Sequence, residues 1–228
     1  MVGALTLYQT SIGKKVLMAV TGLVLFGYVF AHMYGNLHIY EGPVAYNGYA
    51  EGLRAIGAPL ISHGVALWLV RIVLILSIVG HIWAAWQVTK LDWDSRPVRY
   101  GQKKMIAGSY AARTMRWGGV ILTLFIIYHV LHFTTGTLYV EGQFSRTDVY
   151  ANVVNGFRNP IVSLVYILSM VALGFHLYHG VWSMAQTLGW RNGVNNQLWR
   201  GFATVMAIVI AGGNISIPLA VMAGIVRL

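Results

Sequence analysis

The stretch from Ser62 to Thr89, SHGVALWLVRIVLILSIVGHIWAAWQVT, decides the fold of this protein. It is longer than the roughly 20 helical residues that cross the hydrocarbon core of a bilayer. Deep within this apolar run lie one arginine, Arg71, and one histidine, His81. We therefore predict a membrane-spanning helix that carries two costly polar groups inside it.

Four other stretches are of the same kind, and the whole chain is 57% hydrophobic with only 10% charged residues. The predicted spans are Val16–His38, Ser62–Thr89, Trp117–Leu138, Ile161–Leu188 and Phe202–Ile225. No segment alternates apolar and polar residues as a membrane barrel would, and a spanning backbone must satisfy its own hydrogen bonds. The expected fold is all-α, an integral membrane protein with five transmembrane helices in a lipid bilayer.

The lysine and arginine residues fall mostly on one side of this five-span arrangement. That side carries Lys14, Lys15, Lys90, Arg96, Arg99, Lys103, Lys104, Arg113, Arg116, Arg191 and Arg200. The opposite side carries Arg54, Arg146, Arg158 and Arg227. Because cytoplasmic loops are enriched in basic residues, the N-terminus is predicted to be cytoplasmic. The net charge of +10 then reflects topology, and binding to nucleic acid is not expected.

The start of the chain and its cysteine content limit the chemistry. The first apolar run is long enough to span and no small-residue cleavage pattern follows it, so we expect no cleavable signal peptide. The chain has no cysteine, which excludes disulfides, iron–sulfur clusters held by this chain and covalently attached c-type haem. Any haem bound here is therefore expected to be of b type.

Four of the predicted spans each contain a histidine in their apolar part: His32, His81, His129 and His176. An imidazole inside hydrocarbon is costly unless it holds a ligand or a hydrogen-bond partner. A lone ring is commonly a packing or proton-relay group, but one ring on each of four helices suits two haems with two histidine ligands each. We therefore predict a four-helix haem-binding bundle with the fifth helix added to it.

Depth in the membrane indicates which rings can share an iron. At about 1.5 Å per residue, His81 lies nearest the cytoplasm and His176 somewhat deeper, whereas His129 lies just past the middle and His32 nearest the outside. This order pairs His81 with His176, and His32 with His129.

Two further histidines leave an alternative open. His132 and His179 lie one turn beyond His129 and His176 and fit the same two depths about equally well. Depth alone does not choose between the neighbours.

The two halves of the chain resemble each other. A glycine precedes a histidine by ten positions in both Gly22…His32 and Gly119…His129, and a Glu-Gly pair follows each, at Glu41 and at Glu141. We interpret residues 1–228 as one transmembrane cytochrome b domain with an internal repeat, 14–90 and 113–189. Each half would be an up–down helix pair, and the two pairs would run in parallel.

Three stretches of the chain form a recognisable set: Ala31–Asn36 (AHMYGN), Arg116–Val130 (RWGGVILTLFIIYHV) and Phe175–Ser183 (FHLYHGVWS). They resemble a known family, the single-polypeptide, five-helix, dihaem cytochrome b anchor of succinate:menaquinone oxidoreductases and the related fumarate reductases. The resemblance covers nearly the whole chain, from Ser11 to the last helix. Its most specific part is the His-x-x-x-Gly-x-Trp-Ser element.

The resemblance implies a set of haem ligands. His176 rather than His179 takes the role of ligand, because the family's ligand stands four residues before that glycine. By the same resemblance His129, His32 and His81 take ligand roles. With the pairing by depth, His32 and His129 would hold an outer haem, and His81 and His176 a haem on the cytoplasmic side.

The resemblance also implies a function, that of the membrane anchor and electron-transfer subunit of succinate dehydrogenase, complex II of the respiratory chain and an enzyme of the tricarboxylic acid cycle. A flavoprotein subunit would oxidise succinate, and an iron–sulfur subunit would pass electrons through two b haems of this chain to menaquinone. Nothing in the chain resembles a dicarboxylate site, so succinate chemistry would belong to a partner. The expected location is the bacterial cytoplasmic (inner) membrane.

We expect other polar residues of the spans to contact the haems or their ligands. We expect His132 and His179 to contact a haem propionate or a ligand ring. Arg71 needs an anion, and we favour a propionate of the outer haem over a quinone-site carboxylate, Glu41 or Glu51.

Residues near the span ends are expected to lie in the membrane interface. His38 and His63 lie there, where a polar ring is cheap, and together with Glu41 they are candidates for a quinone site. The aromatic residues interpreted as interfacial belt residues are Tyr40, Trp93, Tyr139 and Trp190.

Three alternatives remain from the sequence. One is the cytochrome b anchor of a nitrate reductase, formate dehydrogenase or hydrogenase, which typically clusters several histidines on fewer helices. Another is a fumarate reductase that works in the reverse direction. The third is a transporter with proton-relay histidines, which would be expected to have intramembrane carboxylates, and the predicted spans contain no Asp or Glu.

Overall fold

The computed structural model of the protein describes residues 9–95 and 110–228. Its α-helices are, in chain order, α1 (Ser11–Leu37), α2 (Pro43–Ala55), α3 (Val65–Asp94), α4 (Tyr110–His129), α5 (Val149–Arg158), α6 (Pro160–Thr187) and α7 (Asn196–Met222). A 3₁₀ turn, His38–Glu41, follows α1, and a π-helical turn, Val130–Thr134, follows α4. The described residues contain no β-strand.

Five helices, α1, α3, α4, α6 and α7, are long and apolar enough to cross a membrane. The prediction of an all-α protein with five spanning helices is therefore confirmed. Some helix limits differ from the predicted ones because helices continue beyond their apolar parts, whereas the π-helical turn after α4 ends at Thr134 and α7 ends at Met222, both before the predicted limits. Thus α3 runs to Asp94 and carries Asp92 in its last turn, and α7 begins at Asn196.

The predicted loop from Lys90 to Arg116 is shorter than expected, because both of its ends are helical. An ion pair between Arg116 and Asp92 joins the facing ends of α3 and α4. Of the basic residues assigned to this side, Arg96, Arg99, Lys103 and Lys104 lie outside the described residues, as does the side chain of Arg113.

Side-chain caps explain where two of the spanning helices begin. The Thr10 hydroxyl accepts a hydrogen bond from the Gly13 amide at 3.0 Å at the start of α1. The Asn159 side chain accepts one from Ile161 at 3.0 Å, and Pro160 fills the first position of α6, where no amide hydrogen is needed. The first residues of α1 and α6 are thus determined by neighbouring side chains.

Two short helices, α2 and α5, were not predicted and lie between the paired spans. α2 begins at Pro43 directly after Gly42, and α5 begins after Asp148, whose carboxylate accepts from the Ala151 amide at 3.0 Å. Asn47 joins them, since its amide donates to Asp148 at 3.0 Å and accepts from Tyr150 N at 3.0 Å. We call this end of the bundle the connector side and the opposite end the N-terminal side.

The five spans pack unevenly. α1 contacts α3, α6 and α7, while α6 contacts α4 and α7, so that α1, α6 and α7 form the central mass. Among the described residues, α1 and α4 make at most isolated contacts, and so do α3 and α6. The bundle therefore has two pairs of facing helices that are not directly packed together.

Small residues bring α7 close to its neighbours. A Cβ added at Gly174 of α6 would lie 3.3 Å from the Cβ of Ala211, and one at Gly213 would lie 2.7 Å from the sulfur of Met33 in α1. Ile210 of α7 is fully buried. The fifth helix thus supplies tight packing where the other spans leave gaps.

One residue assigned to the interfacial belt is instead part of the core. Tyr139 is only 8% exposed, and its hydroxyl donates to the Asn152 carbonyl at 3.2 Å. Burial raises the pKa of Tyr139, with a further contribution from the nearby Glu141 carboxylate. Its position at the end of a span suggested an interfacial role, but the segment after α4 folds back over α5. Tyr40, Trp93 and Trp190 are exposed.

Asn152 is predicted to be important for stability. It is 2% exposed, and its amide group accepts from the Ser145 amide at 3.0 Å and donates to the Ser145 carbonyl at 2.6 Å. Asn152→Ala leaves both backbone groups unpaired and should lower the free energy of unfolding by about 1–3 kcal/mol. Thermal unfolding in detergent measures this.

Asn214→Ala is the matched control, because the Asn214 amide only donates to Ile210 in its own helix, at 2.8 Å. Equal losses of stability in the two variants would contradict the prediction.

Candidate functional site

The rings of His81 and His176 face each other across the gap between α3 and α6. Their centres are 6.2 Å apart, with the planes inclined by 61°. The Nδ1 atom of His81 lies 3.0 Å from the Met18 carbonyl oxygen and 3.3 Å from the Thr21 hydroxyl of α1. Donation from Nδ1 to this carbonyl fixes the tautomer, and the Nε2 lone pair is then left for another partner.

Gly22 allows this close approach. A Cβ at this position would lie 3.2 Å from Cε1 of His81, closer than side chains ordinarily pack. The glycine that precedes His32 by ten residues thus makes room for the ring of the other pair.

His176 has a different environment. Its Nδ1 atom is buried and has no hydrogen-bond partner within the described residues. A cavity of about 250 Å³ lies beside this ring, lined by residues of α4 and α6 that include Trp117, Gly118 and Phe175. One turn further, a Cβ at Gly180 would contact nothing, so there is also open space on that side of the ring.

The second pair of rings, His32 and His129, lies nearer the connector side, between α1 and α4. The ring centres are 5.8 Å apart and the planes are inclined by 80°. Tyr28 stacks on His32 at 5.3 Å, and Phe125 lies 5.8 Å from His129. The Nδ1 atom of His129 is 3.3 Å from the Tyr166 hydroxyl.

Both ring pairs have the separation that one iron atom requires. With a metal–nitrogen bond of roughly 2 Å on each side, two coordinating imidazoles have their centres about 6 Å apart. The observed separations are 5.8 and 6.2 Å. Among the described residues there is no cluster of three or more His, Asp or Glu suited to a bare metal ion. The donor set therefore fits a cofactor that brings its own equatorial ligands, such as haem.

His132 is separated from the facing rings by the π-helical turn in which it lies. The residue is fully buried, with Nδ1 3.1 Å from the Tyr166 hydroxyl and Nε2 3.2 Å from the Glu141 carboxylate. Both ring nitrogens thus have protein partners. Its neighbour His129 has one nitrogen with no hydrogen-bond partner among the described residues, and its ring faces His32.

His179 faces none of the four paired rings in this way. It is partly buried, and its ring centre lies 6.1 Å from that of Trp182. It makes no hydrogen bond in the part of the chain that the structure describes.

Arg71 does not pair with either carboxylate considered for it. Its guanidinium lies over the Trp68 ring, 4.9 Å from the centre, and makes no ion pair within the described residues. Glu41 instead contacts His38, and Glu51 contacts Arg54. Among the residues that the structure describes, the Arg71 guanidinium therefore has no carboxylate partner.

The candidate quinone-site residues form two separate polar contacts on the connector side. His38 Nδ1 lies 2.8 Å from Glu41, and His63 Nε2 lies 2.9 Å from Glu51. Hydrogen bonds from Arg54, and then from His63, lower the pKa of Glu51. Glu41, Glu51 and His63 are exposed, whereas His38 and Arg54 are partly buried.

Two polar residues that contact His129 or His132 were not predicted from the sequence. Tyr166 lies between His129 and His132, and Glu141 is 7% exposed in its side chain beside His132. The sequence offered one signal, the Glu-Gly pair that occurs in each half, but gave no indication that one copy is buried. Tyr166 lies in an apolar run and had no distinguishing pattern.

The comparison with protein families agrees with this architecture. The model of the succinate dehydrogenase/fumarate reductase transmembrane subunit family matches residues 99–213, half of the chain, including His129 and His176. No curated protein and no solved structure gave a match. The chain belongs to the succinate dehydrogenase/fumarate reductase transmembrane subunit family.

Proposed function

We propose that this chain is the membrane anchor and electron-transfer subunit of a succinate dehydrogenase and holds two b haems. His81 and His176 would be the axial ligands of one haem, and His32 and His129 those of the other. The observation that carries the proposal is the pairing of rings across two helix gaps, at 6.2 and 5.8 Å. When bound, the haems would supply one-electron carriers between the iron–sulfur subunit and menaquinone.

The residues around each ring would orient the ligands. The Met18 carbonyl holds the His81 ring through Nδ1, and Tyr28 and Phe125 pack against the rings of the other pair. Such outer contacts fix ring orientation and adjust the basicity of a ligand. The absence of cysteine from the chain supports haem of the b type.

Arg71 would neutralise a propionate of the outer haem. Ten residues separate Arg71 from His81, as ten separate Tyr166 from His176, so Arg71 and Tyr166 occupy corresponding positions on α3 and α6. Because Tyr166 contacts His129, the matching position of Arg71 lies at about the depth of the outer ring pair. An arginine here is costly without an anion.

The proposed partners follow from charge and topology. The N-terminal side, rich in basic residues, would be cytoplasmic and would receive the iron–sulfur subunit, which in turn binds the flavoprotein. The His81/His176 site lies on this half of the bundle. The outer site, with His38, Glu41, Glu51 and His63 beyond it, would lie near menaquinone.

The family includes enzymes that work in either direction, and we propose succinate oxidation with menaquinone as acceptor. The purified complex tests this directly, by comparing succinate-driven reduction of a menaquinone analogue with quinol-driven reduction of fumarate. A complex that reduces fumarate and does not oxidise succinate would contradict the proposed direction.

The first prediction from the proposed function concerns the number of haems bound by each chain. Because each ring pair serves one iron, a pyridine haemochrome assay on the purified complex should give about two haem b per chain. A value near one, or none, would be incompatible with two bis-histidine sites.

The second prediction concerns the independence of the two sites. His176→Ala removes one axial ligand from the cytoplasmic-side haem and leaves the other ring pair unchanged. The haem content should fall to about half, with the low-spin signal of the outer haem retained in electron paramagnetic resonance spectra. Equal loss of both signals would argue against the assignment.

The third prediction separates the ligands from their histidine neighbours. His132→Gln and His179→Gln should both keep two low-spin bis-histidine signals, because neither ring faces the opposite ligand. A glutamine amide is a poor ligand of haem iron, so the change would eliminate one signal if the histidine were axial. Loss of a signal in either variant would transfer the ligand role from His129 or His176 to that residue.

A further inference from the structure

A continuous chain of hydrogen-bonded groups leads away from His129. Its Nδ1 atom is 3.3 Å from the Tyr166 hydroxyl, and the same hydroxyl is 3.1 Å from Nδ1 of His132. Nε2 of His132 is 3.2 Å from Oε2 of Glu141. The chain thus connects a ring of the outer pair to a carboxylate on the connector side.

These hydrogen-bonded groups are buried within the protein. Tyr166 is 6% exposed and His132 is fully buried, with Phe133 and Tyr139 packed around the latter. Glu141 is held by the Val140 amide, which donates to its Oε2 atom at 3.0 Å. Hydrogen bonds in such a low-dielectric setting polarise one another more strongly than they would in water.

An iron at Nε2 of His129 would determine the direction of every hydrogen bond in the chain. The neutral ring would then carry its proton on Nδ1 and donate to the Tyr166 oxygen. The single hydroxyl proton of Tyr166 would be donated to Nδ1 of His132, so His132 would carry its own proton on Nε2 and donate to Glu141. Oε2 of Glu141 accepts from two N–H groups, so the sequence of donors ends there.

We propose that Tyr166, His132 and Glu141 are positioning residues that increase the electron donation of His129 to the outer haem and thereby lower its reduction potential. This inference rests on the proposed function, since it requires a haem at the His32/His129 site. A ligand whose far nitrogen donates to a strong acceptor becomes more basic and favours the oxidised iron. A carboxylate at the end of the chain is such an acceptor.

Within the described residues, His81 and His176 have no equivalent series of hydrogen bonds. His81 donates to a neutral backbone carbonyl, and Nδ1 of His176 has no partner within the described residues. The cytoplasmic-side haem should therefore be insensitive to changes in Tyr166 or Glu141. It provides an internal reference in the same protein.

Redox titration of Tyr166→Phe, with each haem followed by its optical and electron paramagnetic resonance signals, tests the proposal. This substitution keeps the aromatic ring in the core and removes the hydroxyl that links the two histidines. We expect two bound haems, an upward shift of the outer haem's midpoint potential and an unchanged potential for the other haem.

Tyr128→Phe is the matched control. Tyr128 stacks on His132 at 5.2 Å and lies 5.9 Å from Tyr166, but makes no hydrogen bond among the described residues. It should leave both potentials unchanged. An equal shift in the two variants would attribute the effect to packing and overturn the proposal.

Glu141→Gln provides a second test at the far end of the chain. Its amide oxygen still accepts from His132 but carries no charge, so the outer potential should rise in the same direction and by less than in Tyr166→Phe. Unchanged potentials with both haems bound would overturn this inference alone. A wild-type complex without haem would instead overturn the proposed function.

Discussion

An imidazole ring inside a membrane must find partners other than water for its two nitrogens, and this constraint organises the bundle. His132 satisfies both nitrogens with protein groups, Tyr166 and Glu141. His81 and His129 satisfy one each and direct their rings toward a ring on another helix. His129, which faces His32, therefore differs from His132, one turn away, in its hydrogen bonding as much as in its depth.

The packing of the spanning helices leaves space around these rings. Packed helix axes lie about 8–10 Å apart, which leaves no room for a flat cofactor between them, and here two facing pairs of helices are not packed in that way. The cost is lost van der Waals contact between spans. α7 compensates for this loss of contact, since it packs tightly on α1 and α6 at Gly213 and Gly174.

The five spans could be predicted because hydropathy is a local property of each segment, and the same holds for the relative depth of the histidines. The short helix α2 could not, since it depends on Asn47 contacting α5 from a distant part of the chain. Tyr139 was misassigned and Glu141 overlooked for a similar reason. Both come after the π-helical turn, where the chain folds back, and neither the turn nor the fold-back has a sequence pattern as clear as an apolar run.

The two halves of the chain differ in the groups that they place near the ring pairs. Glu41 is exposed and pairs with His38, whereas Glu141 is buried against His132. Each ring pair, however, takes one histidine from each half, so neither half contains a complete site. A difference between the halves is therefore also a difference between the two sides of each ring pair. In the His32/His129 pair, one ring is stacked on Tyr28 and the other is connected through hydrogen bonds to a carboxylate, so a change in one half can alter the surroundings of one ring without disturbing the other ring.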